Sequence, residues 1–380
     1  MRILARTAIF LLGIAALLVL LGAAMKKNTT FIEPVDRLLR LQTPGEFSSG
    51  AFVNTGFSEE AGGVVLAPEG TGAARKGQYV SSELPAGFLF KELIPSCNIS
   101  CPPGCGFLFE LRVRGDEGPW SSWLSLGGWG VVPRQKAPLT RDKVAAVKVD
   151  YLVAPKGATT VQFRLSLYSK NGEATPVIRL ITAACSSERG DRDLPLRSRA
   201  PASLPLTQWN RTLPVPFRSQ TAEESSIAGH ICSPTSVSMV MEYWGVSLPT
   251  KEVAALLYDS SHKMYGIWWR AVEGASQYGF EGWVQCFRNW EQVKEWIARD
   301  TPVIACVSFG AGELGGSMTP QSEGHVMVIR GFDKKGNPLC NDPAGADEDR
   351  GSVTYDREEF AKAWFDRGGV GYLIRPLYSP

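Results

Sequence analysis

A polar, proline-rich stretch over residues 188–212 divides the chain into two halves with different hydrophobic patterns. It contains Asp-Arg-Asp-Leu-Pro and Arg-Ala-Pro-Ala-Ser-Leu-Pro, compositions typical of a linker between domains. A chain of 380 residues also exceeds a single domain of roughly 100–200 residues. We therefore expect domains at residues 48–187 and 213–380, preceded by a distinct N-terminal segment at residues 1–25 and a lead-in at residues 26–47.

The N-terminal segment has the pattern of an export signal. Arg2 and Arg6 precede an uncharged, mainly apolar run over residues 7–25 that ends in Gly-Ala-Ala-Met. Small residues in that position suit signal-peptidase cleavage, but the run is also close to the ~20 residues that span a bilayer. A cleaved signal peptide and an uncleaved membrane anchor both remain open. Either one places the rest of the chain outside the cytoplasm, in the periplasm, the cell envelope or the extracellular space.

Composition narrows the classes of partner. The formal net charge is +2, which gives no reason to expect a nucleic-acid partner. No zinc-finger spacing, P-loop or dinucleotide fingerprint occurs, so we predict no metal and no cofactor. Contact with a membrane is predicted only through residues 7–25, and only if they are not cleaved.

The first half has the pattern of an all-β sandwich. Apolar and polar residues alternate in three segments separated by Gly, Pro and Asn clusters, namely residues 107–114, 146–153 and 160–168. Trp120 and Trp123 are predicted to lie in the sandwich core, with an exposed aromatic platform for glycans as the alternative. A cell-envelope ligand is the partner considered for this domain.

Export also affects how the cysteines are interpreted. Four lie in each half, namely Cys97, Cys101, Cys105 and Cys185, then Cys232, Cys286, Cys306 and Cys340. Since disulfides persist in oxidising compartments, we expect the first four to be paired, in a connectivity that the sequence leaves open. A metal site is less favoured because no histidine lies near the first three.

The second half predicts helices first and an antiparallel sheet afterwards, an α+β order. A helix should follow Cys232, with Ser233 as its N-cap, Pro234 at its first position and Gly245 at its end. Further helices are predicted at residues 250–258, 267–278, 290–299 and 357–365. Strands are predicted at residues 302–309, 325–332, 338–342 and 371–376.

Cys232 is the candidate nucleophile of this half. A thiol attacks as its thiolate, and a helix N-terminus together with a neighbouring histidine favours that form. The chain has three histidines. His230 is too close in sequence to face the thiol easily, and His262 lies in a polar loop. His325, which begins an apolar strand after a glycine-rich segment, is therefore the candidate base.

A third residue usually orients the imidazole in such sites. The strand from His325 leads to a turn and then to Asn341 and Asp342, which predicts a hairpin. With the turn centred on Asp333 and Lys334, Asp342 lies directly opposite His325, and a bulge would bring Asn341 there instead. For the oxyanion of acyl transfer, the expected donors are the backbone N–H of Cys232 and the side-chain amide of Gln220.

These residues lie in motifs that resemble the C39-like cysteine peptidases, papain-fold relatives of the bacteriocin-leader peptidases. The motifs are Val-Pro-Phe-Arg-Ser-Gln, Cys-Ser-Pro-Thr-Ser-Val-Ser-Met-Val-Met-Glu-Tyr-Trp-Gly, Gly-His-Val-Met-Val-Ile-Arg-Gly-Phe-Asp and Asn-Asp-Pro-Ala, and the resemblance covers residues 213–378. It implies a papain-like fold, with the four residues in the roles of nucleophile (Cys232), general base (His325), orienter (Asp342) and oxyanion donor (Gln220).

Two departures from the family pattern bear on these assignments, and the first half has a resemblance of its own. Ser233 stands where glycine is common, and the gap from Gln220 to Cys232 is long. The first half resembles, more loosely, the β-rich domain that precedes such peptidases in some bacterial envelope proteins. Its Trp-Ser-Ser-Trp and Pro-Val-Ile-Arg-Leu-Ile segments carry that resemblance.

The sequence therefore predicts an exported cysteine peptidase that hydrolyses an amide bond of a peptide through a thioester intermediate. Two alternatives stay open. One is a cell-wall amidase that acts on peptidoglycan peptides. The other is a catalytically inactive binding protein of the cell envelope. Trp268 and Trp269 could form the wall of a substrate cleft or belong to the core.

Overall fold

The computed structural model describes residues 33–133, 137–188, 196–198 and 204–377. The predicted N-terminal segment, residues 1–25, lies outside these ranges, as do residues 189–195 and 199–203 of the predicted linker at residues 188–212. Within the described ranges, none of the helices has the length and apolar character needed to cross a membrane.

The first half is β-rich. Its strands are β1 Asp36–Leu41, β2 Ala51–Val53, β3 Thr55–Ser58, β4 Gly63–Leu66, β5 Pro68–Glu69, β6 Gly72–Ala73, β7 Lys76–Val80, β8 Leu84–Ser100, β9 Cys105–Arg114, β10 Leu124–Gly130, β11 Ala146–Lys148, β12 Tyr151–Ser169 and β13 Val177–Ser186. One short helix, α1 Pro44–Ser48, follows β1. Thr43 and Glu46 form a capping box at its start.

These strands form one large antiparallel network rather than two separate sheets. Eleven strands are hydrogen-bonded, along the order β10-β9-β12-β8-β13-β4-β3 with side branches, and β5 pairs only with β6. β8 and β12 have 17 and 19 residues. Because they are this long, β8 and β12 pair with different strands along their lengths, and this joins the strands into one network. The predicted β content is thus confirmed, whereas the division into a two-sheet sandwich is not.

One predicted strand is broken. Residues 146–153 form β11, a two-residue turn at Val149 and Asp150, and the start of β12, with Lys148 paired to Tyr151. Val149 has φ 56°, a left-handed conformation that is rare for a β-branched residue. The alternating pattern of this segment is preserved across the turn, which is why the sequence suggested a continuous strand.

The second half contains helices followed by a six-stranded antiparallel sheet of order β14-β19-β15-β16-β17-β18. The helices are α2 Leu206–Trp209, α3 Ser225–Ala228, α4 Cys232–Tyr243, α5 Thr250–Leu257, α6 Trp268–Ser276, α7 Trp290–Ala298, α8 Glu348–Gly351 and α9 Arg357–Trp364. The strands are β14 Phe280–Cys286, β15 Val303–Phe309, β16 Ser322–Phe332, β17 Pro338–Asn341, β18 Ser352–Thr354 and β19 Val370–Pro376. Short 3-10 helices lie at Gln220–Ala222 and Phe365–Arg367. The predicted helices and strands of this half are confirmed to within a few residues.

The two halves pack closely against each other. Asn98 of β8 exchanges two hydrogen bonds with the backbone of Gly282 in β14, at 2.8 and 3.0 Å. Arg288 donates to both carboxylate oxygens of Asp36 in β1. Trp269 of α6 packs edge-on against Phe109 of β9, with ring centroids 5.8 Å apart. Each half has its own main cluster of buried apolar side chains, but Ile94 of the first half joins the cluster of the second, and Trp269 of the second joins that of the first.

All eight cysteines are free thiols in the structure, so the predicted disulfides are wrong. The strand register explains this for Cys97 and Cys185. In the ladder between β8 and β13, Cys97 lies opposite Ile181 while Cys185 lies opposite Leu93. Four residues along a strand correspond to roughly 13 Å, beyond the Cα separation that a disulfide can bridge.

Candidate active site

Cys232 is the first residue of α4, and Ile231 is the N-cap. The helix therefore begins earlier than the predicted start, where Ser233 was the cap. The backbone N–H groups of the first turn have no partner within the helix and point towards the site. Val237 and Met241, which share one face of α4, are buried in the core. Ser236 Oγ donates to the carbonyl of Val326 at 3.1 Å, which fixes α4 against the strand that carries His325.

His325 lies on β16, is 4% exposed, and connects Cys232 with Asp342. Its Nε2 is 2.7 Å from Oδ1 of Asp342. The Cys232 side chain is close enough to the imidazole to help raise its pKa. Because Asp342 occupies Nε2, Nδ1 is the ring nitrogen left for the thiol. The structure thus brings Cys232 and Asp342 together around the imidazole of His325.

The pairing of His325 and Asp342 differs from the predicted register. Val328 lies opposite Asn341, so continuing the ladder puts Asp342 opposite Met327, two residues from His325. The two side chains are diagonal neighbours on one face rather than direct partners. The turn is longer than predicted because the Asp333 carboxylate accepts from the backbone N–H groups of Lys335 and Asn337. The shift is even, so Asp342 stays on the predicted face.

Two further contacts hold the Asp342 carboxylate. The hydroxyl of Tyr355 donates to Oδ2 at 2.8 Å, and the N–H of Ala344 donates to Oδ1 at 2.9 Å. Asp342 and Tyr355 are both fully buried. Burial alone would raise the pKa of Asp342, but the hydrogen bond and charge of His325, with these two donors, hold that pKa below its usual range. The carboxyl is therefore ionised at neutral pH.

The electrostatics of His325 follow from the same contacts. Burial by itself lowers the pKa of the imidazole. Hydrogen bonds and charges from Asp342 and Cys232 outweigh burial and raise the pKa of His325 to about 10. The imidazolium form is therefore favoured at neutral pH, which is the form that stabilises a neighbouring thiolate.

Sequence reasoning missed Tyr355. It lies 13 positions after Asp342, just beyond β18, and nothing in its local sequence marks it. Asn341, the alternative orienter, is placed elsewhere: its side-chain amide donates to the carbonyl of Val215 at 3.0 Å. Asn341 thereby attaches the extended segment at the start of the second half to β17.

Gln220 is buried next to the site but is not among the described residues that line the cleft. Its Nε2 donates to the carbonyl of Ala228 at 2.8 Å, and its backbone N–H donates to Pro343 at the same distance. Its Oε1 is buried without a partner among the described residues. Helix α3 fills part of the long gap before Cys232 and provides the Ala228 carbonyl.

A cleft of about 620 Å³ opens beside Cys232. Trp268, Tyr258 and Tyr265 contribute aromatic surface to it. Of the two tryptophans considered for a cleft wall, Trp268 lines it and Trp269 is buried in the core. His230 borders the cleft, whereas His262 is exposed and contacts Asp259. Trp120 and Trp123 are only partly buried, contrary to their predicted place in the core.

The described residues contain no group of three or more His, Cys, Asp or Glu side chains placed to hold a metal ion. The site itself presents a thiol, an imidazole and a carboxylate, with the imidazole of His325 hydrogen-bonded to Asp342.

A family model described as the Peptidase C39 like family matches residues 212–372, the part of the chain that holds this site. Residues 212–372 belong to the C39-like peptidase family. A second model, described as the Peptidase C39 N-terminal domain, matches residues 37–186. The C39-like domain and its β-rich partner thus each match a model of C39-type proteins, and the family supports a peptidase activity.

Solved structures similar to the C39-like domain include three peptidases of low identity. One is a double glycine motif protease from an AMS/PCAT transporter, in complex with the leader peptide, at 21% identity over 43% of this chain and 94% of that chain, with a TM-score of 0.30. A chain described as a C39-like peptidase from Bacillus anthracis is 17% identical over 43% of this chain and 94% of its own, with a TM-score of 0.33.

The third is the peptidase domain of Streptococcus ComA, a bi-functional ABC transporter involved in a quorum sensing pathway. It is 18% identical over 39% of this chain and 93% of its own, with a TM-score of 0.29. No curated protein matches the chain significantly.

Proposed function

We propose that the protein is an exported cysteine peptidase of papain-like fold that hydrolyses amide bonds through Cys232, His325 and Asp342. The observation that carries the proposal is the position of His325, whose Nε2 is 2.7 Å from the buried carboxylate of Asp342 and whose imidazole interacts with Cys232. Cysteine peptidases need this order of nucleophile, base and orienting group.

In the proposed reaction, the thiolate of Cys232 attacks the carbonyl carbon of the scissile amide. A C–S bond forms while the carbonyl π electrons move to oxygen. As the tetrahedral intermediate collapses, the C–N bond breaks and His325 gives its Nδ1 proton to the leaving amine. A thioester remains. His325 then removes a proton from water, whose oxygen attacks the thioester carbonyl, and the C–S bond breaks to release the acid and regenerate the thiolate and imidazolium.

Donors for the oxyanion complete the proposal. The backbone N–H of Cys232, at the start of α4, is the first donor. Gln220 is assigned as the second, because its Nε2 carries two hydrogens and Ala228 accepts one of them. Because Gln220 does not line the cleft, we expect its side chain to turn towards the site when substrate binds.

We expect the substrate to be a peptide, and the proposed export favours a peptide of the cell envelope.

Cell-envelope protein extract and purified peptidoglycan would each be incubated with the wild-type protein and with Cys232→Ala, and new peptide termini would be mapped by mass spectrometry. We expect termini that appear only with the wild type. Termini in the protein extract indicate a protein peptidase, and termini in peptidoglycan indicate a cell-wall amidase.

Cys286→Ala is the matched control, since it removes a thiol that does not line the cleft. It should yield the same termini as the wild type. Identical maps for the wild type and Cys232→Ala would contradict the proposal and would favour an envelope-binding protein without catalysis.

A further inference from the structure

Asp150 belongs to the β-rich domain, yet it lines the cleft that contains Cys232. It forms the tip of the hairpin between β11 and β12 and follows Val149, whose φ is 56°. A β-branched residue in this conformation is strained. The turn that places Asp150 in the cleft therefore costs free energy. Strained backbone of this kind clusters at functional sites, which favours a role for the turn beyond connecting two strands.

Contacts with α6 fix the position of the hairpin tip. The backbone N–H of Trp268 donates to Oδ1 of Asp150 at 2.6 Å, so this carboxylate caps the start of α6 from the other half of the chain. Tyr151, the next residue, stacks on the Trp268 ring with centroids 5.9 Å apart and planes at 16°. Oδ2 of Asp150 accepts no hydrogen bond from the described residues.

Asp150 and the proposed nucleophile line the same cleft. The pKa of the Cys306 thiol is raised, first by burial and then by the negative charges of Asp150 and Cys232. Both groups are therefore within electrostatic range of the same thiol in the cleft. Burial raises the pKa of Asp150 itself to about 7, with a further increase from the charge of Asp259 and an opposing effect of the hydrogen bond from the Trp268 N–H. A cation placed against its oxygen would favour the charged form.

The other charges of the cleft belong to its rim. Lys263, Glu323 and Arg367 line it but are exposed, and Arg367 is 3.8 Å from Glu313 in an ion pair. Water and salt screen exposed charges strongly and partly buried ones much less. Among the described carboxylate, ammonium and guanidinium groups that line the cleft, Asp150 is therefore the one least screened by solvent.

Aromatic rings line the same cleft as this carboxylate. Tyr258, Tyr265 and Trp268 line the same cleft, and the rings of Tyr258 and Tyr265 lie 4.8 Å apart. A carboxylate among aromatic faces is a combination that attracts an ammonium group, by charge and by cation–π interaction. Neutral or anionic groups gain nothing comparable there.

We propose that Asp150 is a specificity residue, supplied by the β-rich domain, that binds a protonated amine of the substrate beside Cys232. The inference rests on the proposed function and names the class of substrate: peptides with a free α-amino group or an amine side chain near the scissile bond. The β-rich domain then completes the substrate site as well as packing against the C39-like domain.

The test measures how fast Cys232 reacts with three methanethiosulfonates that differ in charge. Each transfers its alkylthio group to the thiolate, so that an S–S bond forms and methanesulfinate leaves. The reagents are the cationic aminoethyl, the neutral methyl and the anionic sulfonatoethyl compounds. Rates at the Cys232 peptide would be followed by mass spectrometry at about pH 8, where Asp150 is ionised, and divided by the rates with a free thiol.

We expect the cationic reagent to react roughly tenfold faster than the neutral one after this correction, since a focused charge raises encounter rates by at least that factor. Asp150→Asn keeps an oxygen that accepts from the Trp268 N–H and removes the charge, so the preference should fall to near unity. Glu323→Gln, which removes the same charge from the exposed rim, should reduce the preference much less.

Equal rates in the wild type, or a preference that Asp150→Asn retains, would overturn the inference while leaving Cys232 a reactive nucleophile. A Cys232 that reacts with none of the reagents would instead overturn the proposed function. Thermal unfolding of Asp150→Asn checks that the hairpin still packs on α6.

Two small compounds distinguish the sources of the amine. Glycinamide carries only an α-ammonium group and Nα-acetyl-lysinamide only a side-chain ammonium group. Whichever compound protects Cys232 from the neutral reagent in the wild type, and not in Asp150→Asn, identifies the group that the site binds. Protection by neither would contradict an ammonium site.

Discussion

At the scale of single residues, the site depends on how one buried carboxylate is held. Asp342 accepts from His325, Tyr355 and Ala344 at distances between 2.7 and 2.9 Å. The negative charge keeps His325 protonated, with a pKa of about 10. The imidazolium is the acid that protonates the leaving amine in the proposed mechanism.

Asp342→Asn should move the alkaline limb of the pH–activity profile to lower pH. The amide can still contact Nε2, but the charge that raises the pKa of His325 is lost. Activity requires imidazolium, which exists below the pKa of His325, so lowering that pKa removes activity from the high-pH side. A shift of about one unit or more is expected, in line with the effect of one nearby charge.

The measurement for Asp342→Asn is kcat/KM against pH with a peptide found in the envelope experiment. Asp347→Asn is the control, since its carboxylate caps α8 at an exposed position. An alkaline limb that Asp342→Asn leaves in place would show that Asp342 does not control the protonation of His325.

The same contacts predict how stability depends on pH. Because the pKa of His325 is raised on folding, its contribution is complete below about pH 6.5 and is lost as pH rises through about 10. The pKa of Asp342 is lowered on folding, so its contribution is present above about pH 4 and is lost in more acidic solution.

At the scale of elements, the position of Asp342 relative to His325 depends on an irregularity in the β16–β17 hairpin. The ladder shifts register between Ile329 and Gly331. Gly331 also forms an isolated bridge with Thr212. A Cβ at residue 331 would lie 2.0 Å from the carbonyl oxygen of Arg211, so a residue with a side chain does not fit there.

Gly331→Ala should therefore lower the free energy of unfolding by about 1–3 kcal/mol, the usual cost of overpacking. The contact is with backbone, which cannot rotate away as a side chain can. Urea unfolding measures the change. Gly324→Ala on the same strand is the matched control, because nothing lies within 4 Å of the added Cβ. Equal stability of the two variants would contradict the tight approach of residues 211–212 to β16.

At the scale of the whole molecule, the two halves should unfold together. Buried contacts between them include the paired hydrogen bonds of Asn98 with Gly282. Arg288 adds contacts with Asp36 and Ser186. We expect one cooperative transition for both halves, monitored by calorimetry and by denaturant unfolding with two spectroscopic probes.

Asn98→Ala should destabilise the whole chain by about 3 kcal/mol, because it leaves the N–H and C=O of Gly282 buried without partners. Asn171→Ala, at an exposed turn where Asn171 contacts Glu173, should change stability by less than about 0.5 kcal/mol. Two separate transitions in the wild type, or an Asn98→Ala variant as stable as Asn171→Ala, would mean that the halves are energetically independent.

The sequence by itself determined the features that arise from neighbours along the chain. The helix after Cys232, the strand from His325 and the side of the sheet on which Asp342 lies all follow from periodicity, since side chains alternate along a strand and recur every turn of a helix. Even the wrong register kept Asp342 on the correct face, because the error was two residues.

Only the tertiary structure decided what approaches the site from distant parts of the chain. Tyr355 reaches Asp342 across another strand, and Asp150 reaches the cleft from the other half, 118 residues from Trp268. Such contacts depend on which surfaces pack together. The periodicity of one segment shows which of its faces is apolar but not which other segment covers that face, because many partner surfaces would bury a similar apolar area.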